Sequence, residues 1–168
     1  MKKLLLLFFL LCFTACKNQT PPFLIEKTTV LLFLGPECPL CQDYSITMEK
    51  LYESYHDKVD FLAVFSGKHY DDDKIQRYIS EYIPHIKWEK DPDFAISSYY
   101  DATITPEAVL LDSNGEIKYQ GKLDNWLEEL GRRRQRIDTF YLKDAIEALI
   151  HNKEITVKRT KAIGCFIE

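Results

Sequence analysis

The chain has 168 residues, 46% of them apolar and 13% aromatic, which is enough to bury the core of one ordinary domain without disulfide staples. Its 22 basic and 26 acidic residues leave a formal net charge of −4. That balance gives no basic footprint for nucleic acid, and no nucleic-acid partner is expected.

In chain order, Met1-Lys2-Lys3 is a short basic stretch and residues 4–13 are an uninterrupted apolar run. The run is shorter than the roughly 20 residues a permanent membrane helix needs, but it suits the core of a signal peptide. It ends in Phe13-Thr14-Ala15-Cys16, where small residues before a cysteine resemble a bacterial lipobox, with Phe13 standing where leucine is usual. Residues 1–15 are therefore expected to be a lipoprotein signal peptide, with Cys16 lipidated. The other reading is an ordinary secretory signal with Cys16 incidental. Residues 16–28, polar and containing Pro21 and Pro22, read as a tether, and residues 29–168 as a domain held to the cell envelope, on a periplasmic or outer-membrane face.

The cysteines then sort themselves. Cys12 leaves with the signal and Cys16 carries lipid, so Cys38, Cys41 and Cys165 remain. One close pair and one further thiol in a disulfide-permissive compartment point to redox chemistry rather than a structural framework.

Residues 28–34 form a β-rich apolar run bounded by Gly35-Pro36, and are predicted to be a central strand. A helix is predicted from Pro39 to about Tyr55, with Ile46, Met48, Leu51 and Tyr52 at helical spacing. Cys38 would then stand at a helix N-terminus, where a thiolate is favoured electrostatically. Residues 59–65 read as a second buried strand. Asp71-Asp72-Asp73 opens a helix with Ile75, Tyr78, Ile79 and Tyr82 on its apolar face, and Pro84 stops it. Residues 86–88 suggest a short strand, and Asp91-Pro92-Asp93 the opening of a short helix running to Tyr100. Residues 107–111 and 116–120 read as strands joined by the turn Asp112-Ser113-Asn114-Gly115. Residues 139–151 form an amphipathic helix through Tyr141, Leu142, Ala145, Ile146 and Leu149. Alternating strands and helices followed by an antiparallel pair predict an α/β fold with a central mixed sheet flanked by helices.

The strand–Cys38-Pro39-Leu40-Cys41–helix unit, the later Thr105-Pro106 before a strand, and the hairpin at 111–116 together resemble the thioredoxin-like superfamily. Residues 29–168 are similar to its redoxin branch, the alkyl-hydroperoxide-reductase and thiol-specific-antioxidant type of domain. The tail segments 119–124, 141–146 and 162–167 resemble secreted bacterial redoxin-domain proteins. The resemblance implies a three-layer thioredoxin-like fold and a thiol–disulfide oxidoreductase with a redox-active Cys38–Cys41 disulfide. Cys38 would be the exposed attacking thiol. Pro39 fits the first helical position without loss, and Cys41, one turn inside, would resolve mixed disulfides. Pro106 resembles the cis-proline facing the dithiol, and Thr105 beside it would orient an extended substrate strand; an ordinary trans proline is the alternative. Expected partners are protein or small-molecule thiols and disulfides, an envelope electron-transfer partner, and the membrane through lipid on Cys16. No cofactor or metal is expected.

The sequence also departs from the thioredoxin pattern. Glu37 stands where a tryptophan usually precedes the first cysteine, and residues 30–34 offer no buried aspartate. A carboxylate beside Cys38 is expected to oppose thiolate formation, and the proton acceptor for Cys41 is left unassigned. Glu107 reads as a solvent-facing strand-edge residue, with action through water as the other option. Cys165 reads first as a small buried hydrophobe in a terminal strand at 163–167, and otherwise as a third redox thiol. Arg132-Arg133-Arg134 with Arg136 read as the solvated face of a loop rather than a dock for an acidic partner. Two other functions stay open. One is a thiol peroxidase, although Gly35 occupies the place of that class's threonine. The other is a metal-binding or chaperone module using the dithiol as ligands, although His56, His69, His85 and His151 show no ligand spacing.

Overall fold

The computed structural model describes residues 24–168. The segment expected to be a signal peptide, the lipidation expected at Cys16 and most of the expected tether lie outside the described residues.

Strand β1 (Thr29–Phe33) is buried along its whole length, as its apolar run requires of a strand covered on both faces. The dithiol segment follows as α1 (Pro39–Asp43) and α2 (Ser45–Tyr55). The single helix predicted here is interrupted at Tyr44, whose hydroxyl donates to the buried carboxylate of Asp124 at 2.9 Å. Strand β2 (Asp60–Ser66) and α3 (Asp72–Tyr82) come next, the latter capped by the Asp71 side chain, which accepts from the Lys74 amide at 2.8 Å.

Strand β3 (Lys87–Asp91) is longer than predicted, and α4 (Ala95–Tyr99) begins later. The reason is Asp91. It ends the strand instead of opening the helix, and its buried carboxylate accepts the amides of Ile96 and Ser97 at 3.0 and 2.9 Å. Burial opposes its charge, but those amides, with the Ser66 and Ser97 hydroxyls, prevail and hold the carboxyl below its ordinary range.

Short β4 (Ile104–Thr105) leads into β5 (Glu107–Leu111), which turns through residues 112–115 into β6 (Ile117–Gly121). The arginine-rich stretch forms a small hairpin, β7 (Leu127–Glu129) and β8 (Arg132–Arg133), rather than a loop. Helix α5 (Tyr141–Ile150) and β9 (Cys165–Phe166) complete the order.

The main sheet runs β3-β2-β1-β5-β6. Strands β1, β2 and β3 are parallel, and β5 and β6 are antiparallel to their neighbours, which is the mixed sheet expected. Two successive crossovers step the same way from β1 to β3, and a common hand puts both connecting helices on one face. Met48, Leu51, Ile75, Tyr78 and Ile79 accordingly share a core with Val30, Leu32 and Leu34, joined by Leu142 and Ile146 of α5. Helix α4 covers the other face, where Ile96 and Tyr100 pack on Leu31, Phe33, Val109 and Leu111. The result is the three-layer α/β arrangement expected, with the dithiol at the end of central strand β1.

Candidate active site

Cys38 is the N-cap of α1, with extended backbone angles (φ −81°, ψ 115°) and Pro39 as the first helical residue. Its carbonyl accepts the amides of Cys41 at 3.0 Å and Gln42 at 3.3 Å, which places Cys41 one turn inside and directly behind it. Cys41 is fully buried; its sulfur accepts the Gly35 amide at 3.4 Å, and its carbonyl accepts the Tyr78 hydroxyl at 2.9 Å.

The two thiols differ sharply in acidity. A hydrogen bond from the Cys41 thiol is the largest influence on Cys38. Burial opposes it, while Cys165, the Cys41 amide and Thr105 add to it, and the Cys38 thiol falls to about 5. Burial first, and then the neighbouring Cys38, push the Cys41 thiol well above its ordinary value. At neutral pH the pair is therefore a thiolate backed by a thiol.

The peptide bond between Thr105 and Pro106 is cis, as the sequence suggested. The Thr105 carbonyl oxygen lies 3.5 Å from the Cys38 sulfur. A methyl group built on Gly35 would sit 3.0 Å from the Tyr70 hydroxyl and 3.4 Å from both Cys38 Cβ and Thr105 Oγ1. Gly35 is thus the point on which Tyr70, Cys38 and Thr105 converge, and a larger residue there would press on the Tyr70 hydroxyl. Burial raises the Tyr70 hydroxyl to about 12, with Cys41, Cys38, Glu37 and Cys165 adding to the effect.

Several expectations change. Cys38 is not exposed: its relative accessibility is 4%, and the covering group is Cys165, whose sulfur lies 2.7 Å from its own. The packing role first expected of Cys165 is incomplete, because its side chain meets a sulfur as well as the apolar core. Burial, and then Cys38, raise the Cys165 thiol to about 12. Glu37 does not keep Cys38 protonated. Its carboxylate points outward and pairs with Lys74 at 3.1 Å. Glu107 is buried rather than solvent-facing, and holds Gln120 Nε2 at 3.1 Å. Ala108 and Leu110 pack with the cysteines and Val109 and Leu111 pack on the opposite face. Strand alternation therefore points Glu107 away from the dithiol. Burial raises its carboxyl against hydrogen bonds from Gln120 and the Thr103 and Ile104 amides.

The arginines are largely engaged within the chain. Arg132 and Arg134 pair with Glu128, while Arg133 pairs with Asp43 of the dithiol helix at 2.6 Å and lies over the Trp126 ring. Among the described residues, no group of three or more His, Cys, Asp or Glu side chains is arranged to hold a metal ion. No described helix is long and apolar enough to cross a membrane.

Tyr70, Tyr78 and Gly35 were missed by sequence reasoning. Tyr70 carries a usable signal, since it lies in the loop at the C-terminal end of parallel strand β2, where sites of α/β sheets gather. Tyr78 looks like any other core residue of α3, and its hydroxyl contact has no trace in the sequence.

Solved structures share the fold. An uncharacterized conserved protein of Geobacillus kaustophilus is 22% identical, with a TM-score of 0.74 over 86% of this chain and 78% of that one. A hypothetical protein of Sinorhizobium meliloti is 19% identical, with a TM-score of 0.73 over 84% and 79%. A secreted disulfide oxidoreductase of Mycobacterium tuberculosis is 23% identical, with a TM-score of 0.50 over 56% and 68%. No curated protein matches the chain significantly. The family model described as thioredoxin-like matches residues 26–117. That stretch is more than half of the 168 residues and contains β1, both cysteines of the pair and cis-Pro106, so the chain belongs to the thioredoxin-like family.

Proposed function

We propose that the protein is a thiol–disulfide oxidoreductase of the cell envelope, working through Cys38 and Cys41 and anchored by lipid on Cys16. The observation that carries the chemistry is the placement of the pair, Cys38 at the N-cap of α1 beside the Thr105 carbonyl and Cys41 buried one turn behind it, and the Cys38 thiol is lowered while the Cys41 thiol is raised. The Cys38 thiolate attacks a disulfide of the substrate, the substrate's S–S bond breaks, and one substrate sulfur leaves as a thiolate. Burial still raises Cys41 in the mixed disulfide, but Cys38 then carries no charge, so the further rise that Cys38 had added is gone and the Cys41 proton is released more easily. Cys41 then attacks the Cys38 sulfur, the second substrate sulfur leaves, and the Cys38–Cys41 disulfide closes.

The substrates are thiols or disulfides of proteins or small molecules, and an envelope thiol protein exchanges electrons with the pair. The lipobox-like Phe13-Thr14-Ala15-Cys16 and the apolar run before it support the envelope location. The test is reduction of insulin by dithiothreitol. Wild-type protein is expected to accelerate it, and Cys38→Ser to return it to the uncatalysed rate. Full activity in Cys38→Ser would overturn the mechanism.

A further inference from the structure

We propose that Cys165 is a third redox thiol, which β9 delivers to Cys38 as an internal counterpart of a substrate strand and which competes with Cys41 for the Cys38 sulfur. The inference deepens the oxidoreductase reading above and rests on it.

Three features of the tail carry it. The first is contact: the Cys165 sulfur lies directly against the Cys38 sulfur, 2.7 Å away, with both thiols free. The second is backbone pairing. Strand β9 runs antiparallel to β4 with Thr105 opposite Cys165 and Ile104 opposite Phe166, and the Ile167 amide donates to the Thr103 carbonyl at 3.0 Å. The edge beside cis-Pro106, where an extended substrate would add as a strand, is therefore taken by the chain itself. The third is fit. A Cβ on Gly164 would fall 1.9 Å from the Thr105 carbonyl oxygen, so only glycine lets the strand come this close.

The tail is also held upstream. Its Thr160 amide donates to the Gln120 carbonyl at 2.9 Å, the Gln120 amide donates to the Lys158 carbonyl at 3.1 Å, and the Lys122 amide donates to the Thr160 hydroxyl at 2.8 Å. Anchoring at Thr160 and pairing at Thr105 fix Cys165 between them. Phe166, next in the strand, turns out to solvent.

The step balances without any oxidant beyond the substrate disulfide. Once Cys38 holds a substrate in mixed disulfide, Cys165 gives up its proton and its sulfur attacks Cys38. The Cys38–substrate bond breaks, the Cys38–Cys165 bond forms, and the substrate sulfur leaves with the pair of electrons and takes a proton. Cys41 then attacks Cys38 in turn, releasing Cys165 as a thiol and closing the Cys38–Cys41 disulfide. Two electrons have passed to the substrate, as in the direct route. A tethered thiol at this distance acts at high effective concentration, so mixed disulfides do not accumulate even when Cys41 is absent.

The probe is oxidised glutathione at neutral pH, read by peptide mapping under non-reducing conditions. In Cys41→Ser, the expected product is a peptide pair linked between Cys38 and Cys165, with little glutathione left on Cys38. In the double variant Cys41→Ser/Cys165→Ser, the glutathione adduct on Cys38 persists. An adduct that persists equally in the single variant would overturn the proposal. A Gly164→Val change in the Cys41→Ser background keeps Cys165 but lifts β9, and is expected to lengthen the adduct's lifetime by roughly tenfold or more, the loss that follows when tethering no longer positions the group. An unchanged lifetime there would overturn delivery by β9. Failure of the oxidoreductase reading looks different: Cys38 takes no adduct in any variant and wild-type protein forms no Cys38–Cys41 link, which would overturn both.

Discussion

Cys38 and Cys41 are identical side chains three residues apart, and the fold gives them opposite protonation states. Cys38 receives hydrogen bonds in a place where its charge is shared, whereas Cys41 is enclosed and faces that charge. The order of influences on Cys38 gives a graded expectation. Cys41→Ala removes the largest and should raise the Cys38 midpoint from about 5 by more than Cys165→Ala does, and both should raise it. Thiolate ultraviolet absorbance against pH measures this, and a Cys38 midpoint unmoved by Cys41→Ala would refute the assignment. The same shift appears in stability. A thiol whose folded value lies below its unfolded one contributes stability that is present above the unfolded value and lost as pH falls through the folded value. The reduced protein should therefore lose stability relative to the oxidised form as pH drops from about 8.5, an ordinary thiol value, through the Cys38 midpoint of about 5. Urea denaturation of both forms across that range checks the sign.

At the scale of elements, β9 covers the Cys38 sulfur. Cys38 is nearly inaccessible because Cys165 lies over it and Gly164 seats the strand on Thr105. Gly164→Val should make Cys38 react faster with iodoacetamide at neutral pH, and an unchanged rate would show that β9 does not shield it. The terminal strand around Cys165 was legible in the sequence, but not its partner or its place over Cys38. The local signals read well: the apolar run of β1, the Asp71 cap, the turn at 112–115 and the Cys-Pro-Leu-Cys pair each carry their structure within a few residues. The pairing of Thr105 with Cys165 joins segments 60 residues apart through backbone atoms, which have no side-chain signature. The terminal strand expected at 163–167 is present but shorter, only Cys165–Phe166, and two residues carry no periodicity that could name a partner. The break at Tyr44 was hidden for a similar reason, since its cause is a carboxylate at position 124. Glu107 was misread because strand alternation gives its face but not whether another element covers that face.

At the scale of the whole molecule, the segment after β6 braces the dithiol helix from behind. Asp124 is almost fully buried, and one of its oxygens accepts both the Tyr44 hydroxyl and the Trp126 amide at 2.9 Å while the other has no partner among the described residues. Trp126 meets Tyr44 edge to face, and Arg133 of the same hairpin reaches Asp43. The junction of α1 and α2 is thereby tied to β7 and β8 through a carboxyl that burial raises above its ordinary range. A carboxyl raised in the folded state contributes stability that is complete below its unfolded value and is lost as pH rises through its folded value. The Tyr44 hydroxyl limits that loss, because it donates to the charged form and draws the Asp124 value down. Tyr44→Phe removes this donor and leaves the carboxylate with the Trp126 amide alone. The expected cost is about 1–3 kcal/mol, the range for a buried polar group deprived of a partner. It should be larger at pH 8 than near pH 4, because the hydroxyl donates to the charged form, which gains population as pH rises. Urea denaturation of wild type and variant at both values measures the difference. A cost that is equal at both, or larger in acid, would mean that the hydroxyl serves packing alone and that the brace is not held by charge.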